Sequence, residues 1–141
     1  MRTDRSCAAV AIERDGDRAQ RIARNANALG VPRLQIECAD ALNALTSLPG
    51  SPDVVFVGGG VGKPGLVQNA WARLKPGGRL VANAVTAEGA AELLKMKQAY
   101  GGDLIQIAIT RSEHKSQTIT LFESMRMVTQ YCASKPLESN A

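Results

Sequence analysis

Apolar residues fall in short runs of two different spacings along this chain. Cys7 to Ile12 is a continuous small-to-apolar run, and it predicts a strand that ends at Glu13. Ala19, Ile22, Ala23, Ala26 and Leu29 then recur at three- and four-residue steps, which predicts a helix. Asp15 or Asp17 can cap its start, and Gly30 with Pro32 behind it ends it. Arg14, Arg18, Arg21 and Arg24 fall outside the apolar stripe and read as a solvated face. Leu34 to Cys38 predicts a second strand, and Ala41 to Leu48 a short helical turn after Asp40. Pro49-Gly50-Ser51-Pro52 is a turn.

Val54 to Val57 predicts the next strand, running directly into Gly58, Gly59 and Gly60. A helix over Leu66 to Leu74 places Val67, Ala70, Trp71 and Leu74 on one face, so Trp71 reads as core. Lys75-Pro76-Gly77-Gly78 is a tight turn before a strand over Arg79 to Ala84. Thr86 can cap a helix over Ala87 to Tyr100, with Ala90, Leu93 and Leu94 inward and Gly101-Gly102 as its stop. Ile105, Ile107 and Ile109 alternate with Gln106, Ala108 and Thr110, predicting a strand over 104–111. Residues 112–124 read as a long loop or hairpin end. Met125 to Cys132 is a last strand, antiparallel because no helix precedes it.

Strands alternating with helices predict an α/β domain with a mainly parallel sheet and ligands at the carboxyl ends of the strands. The expected domain covers residues 1–133, with a polar tail over 134–141. Hydrophobic content of 45% suits one globular core. No apolar run is long enough for a membrane helix, and no charged-apolar-small leader is visible, so the expected location is the cytoplasm. Cys7, Cys38 and Cys132 are odd in number and far apart, which favours free thiols over disulfides or zinc. His114 is the one histidine, so no multi-histidine metal site is expected. The net charge of +4 fits an anionic ligand, but no basic stripe interleaved with aromatics points to nucleic acid.

Glu13, Asp40 and Gly58-Gly59-Gly60 each follow a predicted strand. Taken singly they have plainer readings: Glu13 and Asp40 as helix-capping acids, the glycines as a turn. Together they fit a nucleoside-bearing cofactor, with acids accepting hydrogen bonds and glycines allowing close backbone approach.

This arrangement resembles the class I S-adenosylmethionine-dependent methyltransferases, whose Rossmann-like fold is a three-layer sandwich ending in an antiparallel strand. The run Leu74-Lys75-Pro76-Gly77-Gly78-Arg79-Leu80 is a frequent feature there. Four stretches are similar to one branch: Ala11-Ile12-Glu13-Arg14-Asp15, Arg24-Asn25-Ala26, Asp53-Val54-Val55-Phe56-Val57-Gly58-Gly59-Gly60, and Leu80-Val81-Ala82-Asn83-Ala84-Val85-Thr86. That branch is the methyltransferase domain of the precorrin-6Y C(5,15)-methyltransferase (decarboxylating) family, with its stand-alone precorrin-6B counterpart, in cobalamin biosynthesis. The resemblance covers nearly all of residues 8–132. It departs at Met127, where the family usually has proline.

The resemblance implies S-adenosylmethionine as cofactor: Glu13 on the ribose hydroxyls, Asp40 on the adenine amino group, Gly58, Gly59 and Gly60 against the methionine end. It implies methylation of ring carbon 15 of a precorrin and loss of carbon dioxide from the carbon-12 acetate. It names no catalytic residue, because positioning and desolvation carry such a reaction. The substrate's many carboxylates make Arg111, His114 and Lys115 candidate partners, and Asn83 and Thr86 border the same region. A companion methyltransferase domain at the N-terminal side and assembly into a homo-oligomer are also implied.

The front departs most. The superfamily places a glycine-rich loop about 20 residues before the ribose acid; here 12 residues precede Glu13 and none is glycine. The expectation is an N-terminally truncated domain, lacking its first strand, that binds the cofactor poorly by itself. Two other functions stay open: a different class I methyltransferase acting on RNA or another small molecule, and a non-catalytic fragment or assembly half of a split enzyme. Amino-directed enzymes usually carry Asp/Asn-Pro-Pro-aromatic where this chain has three glycines, which counts against them.

Overall fold

A computed structural model describes residue 4 and residues 6–116 and 118–137. The chain divides into two compact units, Met1–Pro49 and Gly50–Ala141. The boundary falls inside the turn at Pro49-Gly50-Ser51-Pro52.

The first unit is β1 (Val10–Ile12), α1 (Gly16–Ala28), β2 (Gln35–Glu37) and α2 (Ala41–Ser47). β1 and β2 pair in parallel, Val10 beside Gln35 and Ile12 beside Glu37. Asp15 is the N-cap of α1 and accepts from the Arg18 amide at 2.9 Å. Ala19 and Ala26 are buried along the stripe that the spacing predicts, while Leu29, at the helix end, is exposed. Both strands are shorter than their apolar runs. Cys7 to Ala9 precede β1, and Cys38 follows β2 as an exposed residue.

The second unit is β3 (Val54–Val57), α3 (Leu66–Arg73), β4 (Arg79–Ala84), α4 (Ala87–Tyr100), β5 (Asp103–Ile107), β6 (Thr110–His114), β7 (Thr120–Ser124) and β8 (Val128–Ser134). Its main sheet has the order β3-β4-β8-β5. β3 and β4 are parallel, and β8 runs antiparallel to both β4 and β5. Each parallel connection steps the same way across the sheet. Right-handed crossovers therefore put α3 and α4 on one face.

That face holds the core: Val57, Leu80, Ala82, Ala84, Tyr131 and Ala133 from the strands, with Val67, Ala70, Trp71, Leu93 and Met96 from the helices. Trp71 is core, and its ring meets the Tyr100 ring at 4.8 Å. The α4 stripe is Gly89, Leu93 and Met96; Leu94, expected inward, is 46% exposed. The steps of four and three from Gly89 keep Met96 on the buried face and turn Leu94 away from it. The opposite sheet face carries Val54, Phe56, Val81, Asn83, Cys132, Gln130, Ile105 and Ile107, and Phe56 there is 63% exposed. Among the described residues β3 pairs with β4 on one side and with nothing on the other.

The strand predicted over 104–111 divides into β5 and β6. The long loop or hairpin end predicted over 112–124 is a hairpin, with Thr110 opposite Ser124 and His114 opposite Thr120. Between the two ladders, Ala108 and Ile109 face Met125, Arg126 and Met127, so the second strand holds one extra residue. The Met125 amide bonds the Ile109 carbonyl at 2.8 Å across this bulge. Before it, Thr129 and Tyr131 of β8 are buried; beyond it, every residue of β6 and β7 is exposed. Ser134 ends β8, and Lys135 Nζ donates to the Ala72 and Leu74 carbonyls at the end of α3. Residues 138–141 lie outside the described ones.

Candidate functional site

In the first unit both predicted acids leave from the same end of a parallel strand pair. The Glu13 amide bonds the Glu37 carbonyl at 3.0 Å, one step past the last paired rung. Its Oε1 accepts from the Asp15 amide at 2.9 Å, at the threshold of α1. Asp40 is the N-cap of α2 and accepts from the Leu42 amide at 3.1 Å. The helix-capping reading is thus realised for Asp40, whereas α1 is capped by Asp15 and Glu13 bonds the amide of that cap. The Glu13 bond uses one oxygen of a carboxylate that has two. Both residues are half-buried.

In the second unit the corresponding end of the sheet is built from glycine. Gly60 has φ +73°, so a left-handed turn requires glycine there. Gly59 is different. Its φ is not positive, and a Cβ placed on it would meet nothing within 4 Å. Neither backbone conformation nor packing among the described residues requires glycine at 59, and bare backbone facing open space suits close approach by a ligand. A Cβ on Gly58 would meet only the Phe56 ring, at 2.9 Å. Farther along the loop a Cβ on Gly62 would meet the first turn of α4, 3.5 Å from the Gly89 amide nitrogen. Thr86 is the α4 N-cap and accepts from that amide at 3.1 Å.

Asn83 lies one residue from the end of β4, beside Gln130 of β8. Gln130 Nε2 donates to Asn83 Oδ1 at 2.9 Å, and both are half-buried. Gln130 is a site feature that the sequence reading missed. The available signal was a polar residue between buried Thr129 and Tyr131 in a central strand.

The three predicted cations stand on the exposed β6–β7 hairpin, on two different faces. Arg111 is opposite Glu123. Lys115 Nζ pairs with Glu123 at 2.6 Å and Glu113 at 3.3 Å, and the hydrogen bonds it donates to these two carboxylates raise its pKa. His114 is on the other face, its Nδ1 3.0 Å from Thr120 Oγ1. The hairpin therefore gathers Arg111 with Lys115 and separates them from His114. Two acids already offset the Lys115 charge. Among the described residues no three His, Cys, Asp or Glu are grouped so as to hold a metal ion. No helix among them is long and apolar enough to cross a membrane.

The family model of the precorrin methyltransferase domain matches residues 1–135. The chain belongs to that family. A precorrin-6Y C(5,15)-methyltransferase (decarboxylating) of a Sinorhizobium species is 46% identical over 112 residues, 79% of this chain and 27% of the relative. The precorrin methyltransferase domain described here thus spans about a quarter of the length of the curated relatives it matches. Among solved structures, the targeted domain of a putative precorrin-6Y C5,15-methyltransferase from Corynebacterium diphtheriae superposes with a TM-score of 0.83 at 37% identity, covering 91% of this chain and 75% of that one. The C-terminal domain of precorrin-6Y C5,15-methyltransferase from Rhodobacter capsulatus gives 0.80 at 34%, covering 91% and 68%. These neighbours share the class I methyltransferase fold, so the predicted Rossmann-like α/β class with an antiparallel strand near its C-terminal end holds for this precorrin methyltransferase domain.

Proposed function

We propose that this chain is the S-adenosylmethionine-binding part of a precorrin-6Y C(5,15)-methyltransferase (decarboxylating), acting at ring carbon 15 and on the carbon-12 acetate of a precorrin. The observation that carries the reading is the 46% identity to the Sinorhizobium enzyme over 79% of the chain. The strand-end chemistry supports it: two half-buried acids after β1 and β2, and unforced glycine backbone after β3.

The residues present fit the cofactor. Glu13 would accept from the ribose hydroxyls and Asp40 from the adenine amino group, while Gly58 to Gly60 would border the methionine end. Bound there, S-adenosylmethionine supplies an activated methyl group. The chain's own part is orientation and exclusion of water, so no strong base is required of it. Asn83, Thr86, Arg111, His114 and Lys115 remain the candidate contacts to a polycarboxylate substrate. Arg111 and Lys115 share a face for this role, and His114 serves the other.

The same reading places the protein in the cytoplasm, beside a companion methyltransferase domain and in a homo-oligomer. Phe122, 78% exposed on a hairpin exposed on both sides, supports association between copies.

The test is direct. The chain, alone and with any polypeptide that co-purifies with it, is incubated with methyl-labelled S-adenosylmethionine and the precorrin substrate. Label in the tetrapyrrole and released carbon dioxide are the expected products. Glu13→Ala should weaken cofactor binding about tenfold, the loss of a hydrogen bond to a charged acceptor. Neither product in either sample would sink the reading.

A further inference from the structure

The last rungs of the second unit's sheet set Gln130, which has no role in the proposed function, against Asn83, which has one. Val57 pairs with Ala82, and Gly58 and Asn83 are the residues that follow them. Asn83 pairs with Gln130, and Gln130 with Ile105. A row across β4, β8 and β5 thus reads amide, amide, isoleucine, on the sheet face away from α3 and α4, with Gly58 just past the end of β3. Gly58 begins the stretch assigned to the cofactor.

The two amides are not equivalent. Gln130 donates to Asn83 Oδ1 at 2.9 Å, which occupies the carbonyl end of the Asn83 amide. The Nδ2 end has no protein acceptor among the described residues. An Asn side chain has two N–H donors there. With Gln130 donating to its carbonyl, Asn83 presents its donor end outward. Both side chains are half-buried, which limits the competition from water. Gly58, just past the end of β3, has no side chain to offer this donor pair.

We propose that Asn83 is a ligand-binding amide whose direction Gln130 sets, and that its Nδ2 donates to a carboxylate of the ligand held at the carboxyl ends of β3 and β4. The proposal rests on the methyltransferase reading. Two carboxylates have that chemistry: the amino-acid carboxylate of the cofactor and an acetate or propionate of the tetrapyrrole. Asn83 touches the ligand. Gln130 is a positioning residue and acts through Asn83.

The experiment is a nuclear magnetic resonance titration of the full chain, which detects even millimolar binding. The probes are S-adenosylhomocysteine and a porphyrin octacarboxylate, each beside its carboxyl methyl ester. The wild-type chain should bind at least one acid form, shifting both the Asn83 side-chain amide and the Gly58 and Gly59 backbone amides. Whichever probe moves the Asn83 amide identifies the source of the carboxylate. Asn83→Asp replaces the donor by a like charge. It should raise the apparent Kd of that probe tenfold or more while leaving the ester's unchanged. Gln130→Glu keeps the shape but cannot donate to Asn83 Oδ1, so it should produce a loss of the same kind, smaller and again restricted to the acid. Gln130→Leu repeats that test without a new charge, and circular dichroism checks that each variant folds.

If the Gly58 and Gly59 amides shift while Asn83 does not, and Asn83→Asp binds as the wild type does, the proposal is wrong and the methyltransferase reading survives. If neither probe moves any of these resonances, both fail together.

Discussion

Tyr131 shows how one side chain joins a strand to a helix end. It is fully buried, and its hydroxyl donates to the Gly101 carbonyl at 3.0 Å, with the Met96 carbonyl at 3.4 Å. Met96 lies in the last turns of α4, and the Gly101 carbonyl lies past the helix's closing bond, from the Gly101 amide to the Lys97 carbonyl. Burial pushes the phenol pKa up, so the group remains a donor through the physiological range. Tyr131→Phe keeps the ring and removes the donor. It should cost about 1 kcal/mol, read as a lower denaturation midpoint with an unchanged slope. Tyr131→Ala also opens a cavity and should cost about 3–5 kcal/mol. An unchanged midpoint in Tyr131→Phe would show that water satisfies both carbonyls. Residue roles were legible where chemistry and local spacing coincide: Asp15 and Thr86 are caps, and Trp71 is core. Gln130 was not, because its partner is 47 residues away and only strand pairing brings them together.

At the scale of elements, β3, β4 and α4 have the boundaries that their apolar runs and flanking turns indicate. The hairpin beyond the bulge was not legible as two strands. Thr110 to His114 holds no apolar residue to alternate, because neither face of that ribbon is covered. A two-stranded ribbon exposed on both sides adds little to the stability of a single chain. Joining Ile107 to Val128 through an Asn-Gly turn in place of residues 108–127 should therefore leave the main sheet folded. Its thermal midpoint should fall by no more than a few degrees, and near-ultraviolet dichroism from Trp71 should persist. Collapse of that signal would mean that the ribbon supports the core after all.

Taken as a whole, the chain is unevenly buried. Buried hydrophobic residues of the first unit are Ala19, Ala26, Ala44 and Leu45, mostly small, whereas the second holds Leu80, Tyr131, Leu93, Met96 and Val67 at under 2% exposure. Amide hydrogen exchange should follow this difference. β4 and β8 should be the slowest segments, and β1 and β2 should exchange faster by a factor of ten or more. Uniform protection across both units would contradict it. The α/β order and the antiparallel closing strand could be read from the residues alone. The division at Pro49 could not, since a Pro-Gly-Ser-Pro turn looks the same inside a domain as between compact units.

The bulge at Met125–Met127 separates a sheet that a core holds in register from a ribbon that nothing holds. Ribbon length is therefore free to drift, but only in steps. Five residues of β6 reach about 17 Å at ~3.3 Å each. Adding two residues to each strand extends that reach by about 7 Å and preserves which side chains share a face. Adding one to each would present whatever stands next to the tip on the opposite side, exchanging the Arg111 and Lys115 side for the His114 and Phe122 side. Among related chains, insertions here should come in even numbers per strand.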